Sequence, residues 1–162
     1  MLLRRKALIF AFCLILILVL TDPEISAQDS NLQAVGALSS ANLYLTYVSI
    51  GAVADSHSRE LYKDEFAASM LTSITEITRN SIASLHKVLE SENLDEEDTN
   101  YLKETIDTLE VLVKQAESYK TYIEKNGQEY AAIYNNYKQI AWQQVAKLLG
   151  FEQEIPSQET GK

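Results

Sequence analysis

The 162-residue chain holds one cysteine, two prolines, five glycines and two histidines. The cysteine, Cys13, lies in an apolar run near the N-terminus, and Phe10, Ala11 and Phe12 before it make no lipobox. No cysteine follows it, which excludes a disulfide scaffold, a thiol enzyme, a c-type haem carrier and a Cys-ligated zinc site beyond that run. No Asn-x-Ser/Thr sequon occurs, so no N-linked glycan has an acceptor. From Gln28 to Leu149 there is no proline, and Gly36, Gly51 and Gly127 are the only glycines. A sheet protein needs more turns than that. There is also no Gly-x-Ser-x-Gly elbow and no glycine-rich phosphate loop.

The N-terminus supplies the one address in the chain. Arg4, Arg5 and Lys6 precede an uninterrupted apolar run, Ala7 to Leu20. A short segment follows and ends in Ile25-Ser26-Ala27, a small-residue cleavage site. As a helix the run spans ~21 Å, short of the ~30 Å bilayer core. Residues 1–27 therefore read as a cleaved secretory signal, 28–150 as the folded domain and 151–162 as a polar tail. No second hydrophobic segment is expected, hence no stable membrane anchor after cleavage. Export without disulfides or sequons fits a bacterial periplasm or secretion. Cleavage removes three basic and two acidic residues, leaving 11 and 21, so the formal charge moves from -9 to -10. Such acidity repels phosphate backbones, and nucleic acid is not an expected partner.

The rest of the chain follows helical spacing. A first helix is expected over 31–55, with a stripe of Leu38, Ala41/Asn42, Leu45, Val48 and Ala52, and small residues such as Gly36 and Gly51 permitting close approach. The break falls at Asp55-Ser58, with Ser56 or Ser58 capping a second helix over 59–90. The second seam is Leu61, Ala67, Met70/Leu71, Ile74, Ile77, Ser81, Leu85 and Val88, and Ser91-Asn93 is the turn. Asp95 caps a third helix whose seam is Leu102, Ile106, Leu109, Leu112/Val113, Ala116, Tyr119 and Ile123, with Gly127 in the left-handed closing position. A fourth helix over 128–149 presents Tyr130, Ile133/Tyr134, Tyr137, Ile140/Ala141, Val145 and Leu148, and Gly150 stops it. Four amphipathic helices with short connections predict an all-α, up-down-up-down antiparallel four-helix bundle following a cleaved signal peptide. The alternative is an extended helical hairpin that dimerises in coiled-coil fashion.

That topology places eight of the nine tyrosines at one end: Tyr44, Tyr47, Tyr62, Tyr119, Tyr122, Tyr130, Tyr134 and Tyr137. Tyrosine couples a large apolar ring to a hydrogen-bonding tip, which suits a ligand cavity or a partner surface, though rings at helical spacing also simply fill bundles. Asn42, on the first seam, either fixes register or points into that end. Trp142 lies off the fourth seam and is expected to pack laterally on a neighbour.

Other chemistry has little support. The bundle di-iron motif needs Glu-x-x-His twice; His86 follows Ala83, and His57 precedes Glu60 in the reverse order. His57 reads as an exposed linker residue and His86 as a surface or boundary residue. Asn93, Asp95, Glu97, Thr99 and Glu104 fit an EF-hand frame, but Asp98 occupies the position that needs glycine. No catalytic residue, metal or cofactor is expected. The reading is an exported, non-enzymatic helical bundle that binds a protein partner or small ligand through the eight tyrosines. The alternatives are a metal-dependent protein or enzyme using carboxylates and tyrosines, and a structural, self-associating bundle.

Overall fold

A computed structural model describes residues 23–90 and 94–151, with side chains from Asn31 onward. The apolar run and most of the signal segment, the 91–93 turn and the tail after Phe151 lie outside the described residues. The chain divides into two compact units, residues 1–37 and 38–162. Every described residue of the first unit is helical. Among the described residues there are four helices and no strand: α1 Pro23–Ser58, α2 Asp64–Leu89, α3 Glu96–Lys125 and α4 Gln128–Leu148. Helix-to-helix packing in the second unit makes a bundle, with α3 against both α2 and α4.

The third helix matches its pattern. Leu102, Ile106, Leu109, Leu112, Val113, Ala116 and Tyr119 are all buried. Asp95 Oδ1 accepts the Asp98 N–H at 2.8 Å, so one otherwise unpaired first-turn donor is satisfied, while Glu96, Glu97 and Asp98 meet the positive end of the helix dipole. The left-handed residue at its far end is Asn126 (φ 46°), not Gly127. Asn126 N–H closes on Tyr122 O at 2.8 Å, and Gly127, in extended conformation, starts α4 instead. Asparagine tolerates that conformation better than other side chains, so glycine was not needed there. At the end of α4, Gly150 does adopt the left-handed form (φ 67°), and Phe151 N–H returns to Ala146 O at 2.9 Å.

The first helix corrects the sequence reading by one residue. Its buried positions are Ser39, Leu43, Thr46, Ile50, Val53 and Ala54. The expected stripe of Leu38, Ala41, Leu45, Val48 and Ala52 faces solvent, with Leu45 61% exposed, and Asn42 is half-buried. One residue is about 100° of rotation, enough to turn a core face outward. The cause lies in the composition: no Asp, Glu, Lys, Arg or His occurs from Ser30 to Ala54, so nothing in the pattern marks the wet side. The stretch Asn31–Ser58, whose 18-residue apolar window has a mean hydropathy of 1.2, is long and apolar enough to cross a membrane. That overturns the expectation of no second hydrophobic segment; scattered Ser, Thr and Gly had diluted the run. The same property suits a core helix, and Leu43 and Ile50 are fully buried. Gly51 is not a point of close approach, because an added Cβ would meet nothing within 4 Å.

α1 ends at Ser58 and α2 begins only at Asp64. Neither Ser56 nor Ser58 caps α2; Ser58 Oγ donates to Asp55 O at 2.9 Å, inside the last turn of α1. Glu60, left-handed at φ 61°, reverses the chain, and Lys63 takes the cap position without a side-chain bond. Along α2, Ile77 is exposed and Thr78 buried. Thr78 Oγ1 donates to Ile74 O at 2.7 Å. Bonding one turn back hides the hydroxyl, so a threonine can take the core position and present its methyl group. Thr108, also buried, does the same with Glu104 O at 2.7 Å.

Candidate functional site

The tyrosines fall into distinct settings. The tightest group lies where α1, α3 and α4 meet. Tyr119 is buried on the α3 seam and its hydroxyl donates to Ala54 O on α1 at 2.9 Å. Its ring packs on Tyr134 of α4 (centroids 4.6 Å) and Tyr122 (5.6 Å), and edge-on to His57 (5.7 Å). Burial, then the nearby Tyr122 and Asp55, push the Tyr119 phenol up to about 12. Tyr134 is also pushed up to about 12, chiefly by burial and further by Tyr119, Asp55 and Tyr47. The Gln115 side chain partly offsets this, being close enough to Tyr134 to favour its charged form. Yet their geometry falls short of a proper hydrogen bond: the Tyr134 hydroxyl and both polar atoms of fully buried Gln115 lack a partner. Buried polar atoms are usually paired, so this is a costly spot in the core.

His57 is no exposed linker residue. Its ring is mostly buried and joins two elements, with Nδ1 3.1 Å from the Tyr119 hydroxyl and Nε2 3.1 Å from Asp64 Oδ1. Because Tyr119 gives its proton to a carbonyl, its oxygen must accept from Nδ1–H. The Asp64 carboxylate accepts at Nε2, on the other edge of the ring. An open cleft of about 770 Å³ adjoins this cluster, bounded by His57, Tyr62, Asp64 and Tyr122. Tyr62 itself meets Phe66 edge-on (4.9 Å).

The remaining tyrosines have other ring partners, although Tyr47 also reaches Tyr134. Tyr130 sits under Lys125 (5.2 Å to the ring centre), and Tyr137 is half-buried on α4. Tyr47 pairs with Trp142 of α4 (5.3 Å) and Tyr44 with Phe151 just past its end (6.3 Å), while Trp142 also meets Phe151 (6.2 Å). Burial raises the Tyr47 pKa. Trp142 thus packs laterally on Tyr47 and Phe151, as its off-seam position implied, yet stays 40% exposed. Asn42 accepts from Thr46 Oγ1 at 3.3 Å, within its own helix.

Three features escaped the sequence reading. The His57–Asp64–Tyr119 bridge joins groups 62 residues apart, and spacing carries no trace of it. Gln115 lay within reach, since it continues the line from Leu112 to Ser118 and Tyr119. Phe151, assigned to the tail, is an aromatic just past a glycine stop, where a residue often packs back on its helix. Among the described residues no cluster of three or more His, Cys, Asp or Glu side chains could hold a metal ion. Set against protein families, curated proteins and solved structures, the chain matches no family model, no curated relative and no solved structure.

Proposed function

We propose that the protein is an exported, non-enzymatic helical bundle that binds a protein partner, with the outward face of α1 and the end of α4 as its binding surface. One observation carries this: α1 is apolar on two sides, and only one of them is buried. Exposed leucine is ordinary when isolated, but a continuous apolar and aromatic patch is characteristic of an interaction site. Tyr44 and Trp142, partly exposed on that patch, are of the kind that anchors protein interfaces. Export rests on the basic n-region and apolar run of residues 4–20.

The up-down-up-down order is part of the proposal, and cross-helix pairs support it. Ser40 meets Tyr101 and Ala54 meets Tyr119, so numbering rises together in α1 and α3. Glu104 meets Lys147 and Tyr119 meets Tyr134, so it runs oppositely in α3 and α4. Thr72 meets Lys120 and Arg79 meets Glu117, giving the opposite sense again in α2 and α3.

Hydroxyl-radical footprinting tests the surface by comparing protein inside producing cells with dilute purified protein. Tyr44, Leu45, Trp142 and Phe151 are expected to be protected in cells and labelled when dilute. Equal labelling in both states overturns the proposal. A second reading, a small polar ligand in the cleft beside His57, is favoured by Tyr62 and Tyr122 lining it. Native mass spectrometry of protein isolated without exchange into strong acid would then retain an adduct, lost in the His57→Ala variant. A bare chain in both samples removes that reading.

A further inference from the structure

We propose that the occupant of the outward α1 face is a second copy of this chain, forming a two-fold homodimer centred near Leu45. This rests on the reading of that face as a binding surface and names its partner.

The spacing is the first support. Leu38, Ala41, Leu45, Val48 and Ala52 alternate by three and four residues, a strict heptad seam. The buried face of the same helix, Ser39, Leu43, Thr46, Ile50 and Val53, alternates in the same way, so the outward face has the spacing of one that packs against a helix. The buried face of α1 is separate from this seam, so the seam is spare after the bundle is complete. Its small members, Ala41 and Ala52, leave room for the larger side chains of a facing helix.

Charge permits this chain as the partner. The protein carries a formal charge of -9, and apposing two copies generally sets acid against acid. From Ser30 to Ala54 there is no charged side chain. Two copies meeting along this stretch bury no like charges, and a symmetric contact needs only a surface that complements itself.

The area is sufficient. Leu38, Tyr44, Leu45, Val48, Trp142 and Phe151 leave two fifths to seven tenths of their surfaces in solvent. At full areas of roughly 150–250 Å² each, they expose on the order of 600 Å², about one partner's share of the smallest specific interfaces. Ring contacts run from Trp142 to Phe151 and from Phe151 to Tyr44, which lies one helical turn from Ala41 and Val48 of the seam.

The test places the photocrosslinker benzoylphenylalanine at position 45 of the full chain in producing cells, with the equally exposed position 77 as control. An adduct at twice the chain mass from position 45, absent from position 77, is the expected result. An adduct of any other mass overturns the homodimer and leaves the face as a site for a different protein. No protein adduct also overturns it. In that case flotation with phosphatidylcholine vesicles assigns the face to a bilayer, and failure to float removes the binding surface as well. In sedimentation, L45E combined with V48E is expected to weaken self-association at least about a hundredfold with helix content unchanged, since like charges then face each other. Mixing L45K with L45E chains restores the dimer. Unchanged association of the double variant, at unchanged helix content, overturns the proposal.

Discussion

The third and first helices are of similar length and both pack in the same bundle, yet only one of them reads correctly from its pattern. In α3, Glu104, Asp107, Glu110, Lys114 and Glu117 occupy the solvent side and leave the seven apolar seam positions no alternative but the core. In α1 the apolar residues encircle the helix, and the buried set is decided by the neighbours it meets, not by its own periodicity. Hydrophobic side chains show where a helix can be buried; charged ones show where it cannot. α1 lacks the second kind of information.

The sharpest test of this contrast exchanges equal side chains at unequal depth. Leu109→Ala on α3 removes a fully buried leucine and is expected to cost about 2–5 kcal/mol in urea unfolding. Leu45→Ala on α1 is expected to cost less than about 0.5 kcal/mol, measured at concentrations where the chain is monomeric. Equal losses would break the comparison.

High pH gives the next effect. Tyr119 and Tyr134 each have a phenol pKa of about 12 in the fold against 10.0 for the free side chain. The fold thus holds their protons longer than the unfolded chain does. Their contribution is fully present below pH 10 and is lost as the pH rises through 12, at up to about 1.4 kcal/mol per pH unit for each phenol. Phenolate absorbance should show two groups ionising late, together with alkaline unfolding.

The same two tyrosines differ in what their hydroxyls do. Tyr119→Phe breaks the bond to Ala54 O that ties α3 to α1, and is expected to cost about 1–2 kcal/mol. Tyr134→Phe removes an unpaired buried hydroxyl and should be neutral or slightly stabilising. Thermal unfolding of the pair checks the order; a larger loss at Tyr134 would mean that Gln115 satisfies it after all. The last effect is a gain, and it belongs to α1. Gly51→Ala should stabilise the protein by about 0.5–1 kcal/mol, since the added methyl group meets open space within a helix.

Helix number, the Asp95 cap and the Gly150 stop were legible because each depends on neighbours in sequence. So was the α3 core. The 59–63 connection was not, since a left-handed Glu60 carries no residue signature of the kind glycine gives. Grouping the tyrosines required knowing the rotation of α1 and the pairing of α4 with it. Tyr119, Tyr122 and Tyr134 do meet, whereas Tyr44 and Tyr47 pair with Phe151, past the end of α4, and with Trp142.

The lack of any basic residue but His57 in α1 also governs how the molecule meets other reagents. No lysine or arginine lies between Lys6 and Arg59. Trypsin-like proteases therefore have no cleavage point along the whole of α1, even where its face is open to solvent. Amine-directed labels and crosslinkers likewise find no anchor there. In the uncleaved chain, tryptic digestion releases α1 joined to the N-terminal apolar run as one long, poorly soluble peptide. Acid-specific cleavage at Asp29 and Asp55 would free the helix in between, and a thiol placed at position 45 would be the only one beyond Cys13.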